Sequence, residues 1–486
     1  MKSILDLEPK VVFHYFNEIC QVPRPSKHEE KIIQYLKDFG KKHDLETISD
    51  ECGNILIKKP ATKGLENCQT VILQSHMDMV CEKNNDTVHD FMTDPIETVI
   101  DGKWLKAKGT TLGADNGIGV ASELAILASN DIEHGPIECL FTVDEETGLT
   151  GAFALKKDFL GGDILINLDS EDEGELFIGC AGGIDTVATF EYQKQDVPAG
   201  YFFFRVTVKG LTGGHSGDDI DKNRANANKL LTRYIYLLES KHEVKICEIQ
   251  GGNLHNAIAR EASALLAVPV KYKEQVRVDL NILSADIERE YAVTEPNMQW
   301  ILESETAVDK CIDEKTAKNL ILAIQGVHHG VFAMSQDIPG MVETSSNLAS
   351  IKMVEENKIV VGTSQRSSIL SSRDDMANTI RATFRLAGAK ISHGDGYPGW
   401  KPNAKSPILA VSKESYKRLF NKEPKVLTIH AGLECGLFLE KYPNLDMVSF
   451  GPTLRGVHSP DERMEIATVD MWWKHLLDVL KNIPVK

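Results

Sequence analysis

The chain opens on two amphipathic stretches. In residues 9–39 the apolar positions Val12, Phe13, Phe16 and Ile19, then Ile32, Ile33 and Leu36, recur every three or four residues. That spacing predicts two helices, with Pro23 and Pro25 between them. Three short apolar runs follow: Val71-Ile72-Leu73, residues 137–143 behind Gly135-Pro136, and residues 163–168. Bounded by turn residues, each suits a strand buried on both faces. Residues 117–129 crowd their apolar positions onto one side and predict a helix between the first two strands. Strands alternating with helices imply a mostly parallel sheet covered by helices, whose carboxyl edge is where such folds place their sites.

From about Thr186 the texture changes. Phe202, Phe204, Val206 and Val208 alternate with more polar neighbours, as in a half-exposed antiparallel strand. A helix is expected over 225–240, strands over 276–282, 347–353 and 359–365, and helices over 315–324 and 373–386. After the Gly- and Pro-rich stretch 394–402 the helix–strand pattern resumes, with a helix at 408–420, a strand at 447–450 and a helix at 469–480. The fold class read from this order is α/β. One domain, residues 1–185 and 399–486, has a mostly parallel sheet covered by helices; an α+β domain, residues 186–398, is inserted in it.

Two domains also suit the length of 486 residues, which exceeds what one hydrophobic core usually serves. The balance of 71 acidic against 54 basic residues, a net charge of -17, argues against nucleic acid or an anionic membrane as partner. No signal-peptide-like apolar core or membrane-spanning run is present in the sequence. Nine scattered cysteines without close-spaced pairs read as reduced, mostly buried thiols, and a cytoplasmic location is expected.

Five short segments share one character, a metal-ligand residue type at the end of an apolar strand or in a glycine-bearing loop. They are Ser75-His76-Met77-Asp78, Gly113-Ala114-Asp115-Asn116-Gly117, Asp144-Glu145-Glu146-Thr147-Gly148, Asn167-Leu168-Asp169-Ser170 and Gly456-Val457-His458-Ser459-Pro460. Residues two apart in a strand share a face, so Asp78 can accept a hydrogen bond from His76 and leave its other ring nitrogen for a metal. Taken alone, His76 reads more readily as a satisfied histidine at a strand end. Asp115, between glycines where a helix opens, can bridge two cations or simply cap the helix. Glu145 and Glu146 are a solvated acidic turn or a division of labour, one a ligand and the other free to take a proton from an attacking water. Asp169 suits a terminal ligand, while Glu171, Asp172 and Glu173 look like ordinary surface charge.

Charge supports the set. Two dications bring four positive charges, and Asp115, Glu146, Asp169 and a bridging hydroxide bring four negative, with His76 and His458 neutral. Nitrogen and oxygen ligands without sulfur point to zinc, cobalt or manganese. Two such ions would lie about 3.5–4 Å apart and lower the pKa of a bound water toward ~7.

In this order the segments resemble the dinuclear metallopeptidase family that contains aminoacylase, carboxypeptidase G, peptidase T and the carnosinases. The fuller forms at 109–119, 142–151, His430-Ala431-Gly432-Leu433-Glu434-Cys435-Gly436 and His458-Ser459-Pro460-Asp461-Glu462 are similar to its branch of aminoacyl-histidine dipeptidases, and the likeness runs from the first helix to the last. The resemblance implies a peptide hydrolase that cleaves Xaa-His and other unblocked dipeptides, β-alanyl-histidine among them, with two zinc ions per subunit that cobalt or manganese can replace. An N-acyl-amino-acid deacylase or a tripeptidase of the same family is the alternative. It further implies that His76 and Asp169 hold one metal and Glu146 and His458 the other, with Asp115 bridging. Asp78 would orient His76, Glu145 would be the general base for a metal-bridging water, and the Asp115–Asn116 peptide would be cis. The insert becomes a lid and dimerisation domain in a homodimer. In it, Gly213-Gly214-His215-Ser216-Gly217 is similar to the family's lid-histidine segment, so that His215 would donate to the oxyanion. Asn256 resembles a substrate-binding asparagine, although Ala259 stands where the family pattern has proline. Arg366 suits the substrate carboxylate, with Arg260 and Arg373 competing for the role. Glu434 is assigned to the substrate's ammonium or to a supporting position.

Overall fold

The apolar runs at 71–73, 137–143 and 163–168 form the centre of one sheet. In a computed structural model, which describes residues 3–84, 86–355 and 357–486, Val71–His76 lies between Ile137–Thr142 and Ile164–Asn167, and Asp446–Ser449 lies beyond the last. All three pairings are parallel. Every residue of the first three strands is buried, which is why these strands read as continuous apolar runs and not as alternation. The flanks of this eight-stranded sheet are different. Ile55–Lys59 and Glu46–Ser49 add antiparallel strands on one side, and Glu175–Cys180 pairs antiparallel with Asp446–Ser449 on the other. The sheet is therefore parallel at its centre, where crossover helices connect the strands, and antiparallel where hairpins extend it.

Helices Lys10–Cys20 and Ala114–Ala128 pack together over the sheet, and Pro407–Phe420 packs on Ile466–Lys481. The third of these starts where its sequence says it should, with Ser406 Oγ accepting from the Leu409 amide at 3.1 Å and Pro407 in the first turn. Within Ala114–Ala128, Asp115 and Asn116 have non-helical backbone angles, so regular helix begins near Gly117. The peptide between Asp115 and Asn116 is cis, as the resemblance implies.

This unit comprises Met1–Cys180, Trp400–Thr428 and Leu433–Lys486. A second comprises Ala181–Gly399 and Ile429–Gly432. The second is built on a nine-stranded sheet in which every registered pair is antiparallel. Ala227–Lys241, Lys273–Glu290, Glu314–Gly326 and Leu370–Leu386 supply its helical residues, and one large apolar core draws on both sheet and helices. Strands Lys245–Gly251 and Ala262–Pro269 are found here, and the sequence pattern did not indicate them. The strand expected at 276–282 is instead part of helix Lys273–Glu290. Val276, Val278, Leu280 and Ile282 alternate, but the helix buries Val276, Leu280, Leu283 and Ile287 and leaves Val278 and Ile282 exposed. The longer three-and-four spacing prevails over the seven-residue alternation.

All nine cysteines are free, seven buried and Cys52 and Cys81 half-buried. Among the described residues no helix is long and apolar enough to cross a membrane.

Candidate metal centre

Four of the five segments end up at the carboxyl edge of the parallel strands, as the alternation of strand and helix leads one to expect. His76 is the last residue of the central strand, and Glu145 and Glu146 open a short helix after Ile137–Thr142. Asp169 lies two residues beyond Ile164–Asn167, and Asp115 sits at the kinked start of Ala114–Ala128. The fifth, His458, is carried on the loop between the short strands Leu454–Arg455 and Arg463–Glu465.

These side chains converge. His76 Nε2 is 3.1 Å from Asp115 Oδ1 and 3.4 Å from Asp169 Oδ1. His458 Nε2 is 3.2 Å from the other Asp115 oxygen, Oδ2, and 2.9 Å from Glu146 Oε2. Two triads of cation-ligand size result, His76–Asp115–Asp169 and Asp115–Glu146–His458, and they share Asp115 through different oxygens. Glu145 groups with His76 and Glu146 in a third. On the far side of His76, Nδ1 lies 3.2 Å from Asp78 Oδ1. Asp78 is fully buried and also accepts from Ser26 Oγ at 2.8 Å and from the Glu145 amide at 3.1 Å. One carboxylate thus orients His76 and fixes the backbone of the neighbouring Glu145.

Protonation shows what the cluster lacks. Burial alone would lower the His76 pKa, but the charge of Asp169 and hydrogen bonds to Asp115, Asp169 and Asp78 hold it well above the usual value. His458 is pushed up to about 11 by hydrogen bonds to Asp115 and Glu146. Burial raises Glu145, opposed by His76 and reinforced by Asp169, Glu146 and Glu434. Burial likewise raises Glu146 and Asp169. So many carboxyls in one buried place call for positive charge, which the two imidazoles supply by holding protons. Glu146 Oε1, moreover, is buried with no hydrogen-bond partner. Hard oxygen and imidazole donors, one shared carboxylate and one orphaned oxygen fit a pair of divalent cations.

Of the other residues at this edge, Glu171 and Asn116 were given no role by the sequence, whereas Glu434 was. Glu171, read as surface charge, is half-buried beside the cluster, and burial together with Asp115 and Asp169 pushes its carboxyl up to about 8. Its neighbours are half-buried too, Asp172 pairing with Arg455 and Glu173 accepting from the buried Tyr416. Asn116 donates to Asp169 and to the Leu168 carbonyl. Glu434 is fully buried beneath His76. It accepts from Gln74 Nε2 at 2.6 Å and Thr142 Oγ1 at 2.8 Å, its Oε1 has no partner, and burial pushes its carboxyl up to about 8.

His215, Asn256 and Arg366 belong to the second unit. His215 Nδ1 lies 3.3 and 3.2 Å from the amide nitrogens of Gly217 and Asp218 and 3.3 Å from Asp218 Oδ2. The Asn256 carbonyl accepts from the Ser216 amide at 2.8 Å, and the Asn256 side chain is exposed. Arg366 is buried and donates to Ser216 Oγ at 3.2 Å and Tyr397 Oη at 2.9 Å. Of its competitors, Arg373 is engaged by Asp374 and the Tyr397 carbonyl, and Arg260 is exposed, donating to the Leu211 carbonyl.

A parallel-centred α/β sheet that brings two acid–histidine triads together on one shared aspartate, beside a half-buried unshared glutamate, defines the class as a metallopeptidase. The chain belongs to peptidase family M20/M25/M40, whose sequence pattern matches residues 72–482. It is 44% identical to the cytosol non-specific dipeptidase of Escherichia coli (strain K12) over 486 residues, covering 100% of both chains. The crystal structure of aminoacylhistidine dipeptidase from Vibrio alginolyticus matches with a TM-score of 0.90 and 45% identity, over 100% of this chain and 99% of that one. A tripeptidase from Staphylococcus aureus shares the fold, with a TM-score of 0.58 and 16% identity over 98% of this chain and 99% of the other.

Proposed function

We propose that the protein is a metal-dependent dipeptidase that hydrolyses Xaa-His and other unblocked dipeptides, β-alanyl-histidine included. The observation that carries this reading is the division of Asp115 between two histidines, one oxygen to each. Full-length likeness to proteins named as dipeptidases supports the substrate class. His76 and Asp169 would hold one cation and Glu146 and His458 the other, with Asp115 shared between them, and the metal would be zinc, with cobalt or manganese as substitutes. When bound, two such ions polarise the scissile carbonyl and lower the pKa of water toward ~7.

The remaining work falls to side chains. Asp78 holds His76 in the tautomer and orientation that present Nε2. Glu145 takes the proton of the attacking water and returns it to the leaving amine, and the burial that raises its pKa makes it the better base. His215 donates its Nε2 proton to the oxyanion. Arg366 takes the substrate carboxylate and Asn256 is a second substrate contact, while Glu434, fully buried and held by Gln74 and Thr142, takes the supporting position. A homodimer in the cytoplasm is the expected setting.

Assaying Ala-His, β-Ala-His, a tripeptide and an N-acetyl amino acid side by side tests the substrate class, with dipeptide turnover expected to dominate. Preference for the acetylated substrate or the tripeptide would favour the deacylase or tripeptidase alternative. Glu145→Gln should lower kcat by roughly 10²–10⁴-fold while metal content by elemental analysis stays at two equivalents. Near wild-type turnover in that variant removes Glu145 from the role.

A further inference from the structure

The loop that presents His458 is an unlikely place for a ligand. His458 has a left-handed backbone, φ 61°, and a side chain 53% exposed. None of the residues from Arg455 to Asp461 is buried. What fixes the loop is Glu462, 2% exposed, at its end. Glu462 Oε2 accepts from the amides of Leu112 and Gly113 at 2.7 and 2.9 Å, and Oε1 from those of Ala114 and Asp115 at 2.8 and 3.3 Å. Four consecutive amides at the start of helix Ala114–Ala128 therefore close on one carboxylate, which also suits the positive end of the helix.

Arg24, also 2% exposed, holds the other face of the same turn. It donates to the Gly113 carbonyl at 2.5 Å, and to those of Asp78 and Met77 at 2.8 and 3.3 Å. Gly113, with φ 66°, permits this approach, because a Cβ there would lie 2.6 Å from Arg24 Nη2. The turn carrying Asp115 is thus tied to the His76 strand by Arg24 and to the His458 loop by Glu462.

We infer that Glu462 is a positioning residue of the metal centre: it locks the His458 loop to the Asp115 turn, so that the cation held by Asp115, Glu146 and His458 depends on it and the cation held by His76, Asp115 and Asp169 does not. The inference rests on the two-cation reading above. His458 reaches the cluster on its exposed loop, and the buried Glu462 ties the end of that loop to the turn bearing Asp115. Asp169 and His76, by contrast, are placed by sheet strands and by Asn116 and Asp78.

The test is a competition titration of zinc against a chelator of known affinity, using apo-protein of the full chain. Glu462→Gln, which removes the charge and at least one acceptor oxygen, should weaken one of the two zinc equivalents by about 10–100-fold and leave the other at its wild-type affinity. In a His458→Ala background, Glu462→Gln should have no further effect on the equivalent that remains. Thermal melts establish that each variant is folded. Should the amide variant not fold, Glu462→Asp, which keeps the charge but withdraws the carboxylate from the turn, carries the same test. Equal weakening of both equivalents, unchanged affinity, or additive losses in the double variant would each overturn the inference. Wild-type protein that binds fewer than two equivalents would instead fail the function reading itself.

Discussion

Burial sets the protonation of single side chains well away from the metal centre. His475 is 3% exposed, packed against the rings of Phe450 and Tyr416, with Nε2 donating to the Ser412 carbonyl at 2.9 Å. Burial pushes its pKa down to about 4, against the opposing pull of that carbonyl and of Asp478. In the unfolded chain the same imidazole titrates near ~6.5. The unfolded state therefore binds the proton first as pH falls. Stability from this residue is fully present above pH ~6.5, declines toward pH 4 and levels off below, a change on the order of 3 kcal/mol. Urea melts at pH 7, 5.5 and 4.5 should show a smaller decline for His475→Gln than for the wild type, and parallel curves would exclude the effect. Sequence conveys little of this, because a histidine in a terminal helix looks the same buried or exposed. The ligand types were legible for a different reason: His76, Asp115, Glu146, Asp169 and His458 each sit beside a glycine, a proline or a strand end. Glu171 carries no such local signal, and Arg24, between Pro23 and Pro25, reads only as part of the break between two helices. Glu462 was visible only as the end of a motif, and its contacts are with amides some 350 residues earlier in the chain.

At the scale of elements, periodicity works where a strand or helix buries one consistent face. The central strands were readable because they are buried throughout. Helix Lys273–Glu290 was not, because two of its exposed positions, Val278 and Ile282, happen to be apolar and complete an alternating pattern with Val276 and Leu280. Substitution separates the two geometries. In a strand, Val278 and Ile282 would share a face with Leu280, and in the helix they do not. Val278→Glu and Ile282→Lys should each change stability by less than about 0.5 kcal/mol. Ile287→Ala, at a fully buried position of the same helix, should cost about 2–5 kcal/mol. Comparable losses at all three positions in chemical denaturation would contradict the helix. Strands Lys245–Gly251 and Ala262–Pro269 escaped for another reason. The first carries a bulge between Ile246 and Glu248 that breaks its alternation, and the second is almost wholly buried and shows none.

For the whole molecule, a long chain with a change of texture near Thr186 and a return near 399 indicates an insertion. No pattern signals that Ile429–Gly432 also groups with the inserted unit. What sets the two units apart physically is charge. Asp115, Glu145, Glu146, Asp169, His76 and His458 all lie in the first unit, and among the described residues no group of possible metal ligands lies in the second. Cations that bind only the folded first unit stabilise it by RT ln(1 + [M]/Kd), about 2.7 kcal/mol at a hundredfold excess over Kd. Chelation removes that contribution and leaves the carboxylates of one sheet edge with only the two protonated imidazoles as counter-charge. Hydrogen exchange should therefore accelerate on chelation in the peptides that cover 71–78, 112–118, 142–148, 167–171 and 454–464. Exchange in the second unit's strand Tyr201–Lys209 and helix Ala227–Lys241 should stay at its metal-loaded rate. Equal acceleration in both units would mean that the metals stabilise more than the unit that binds them. No change in either would mean that the acid–histidine cluster keeps its structure on protonated histidines alone.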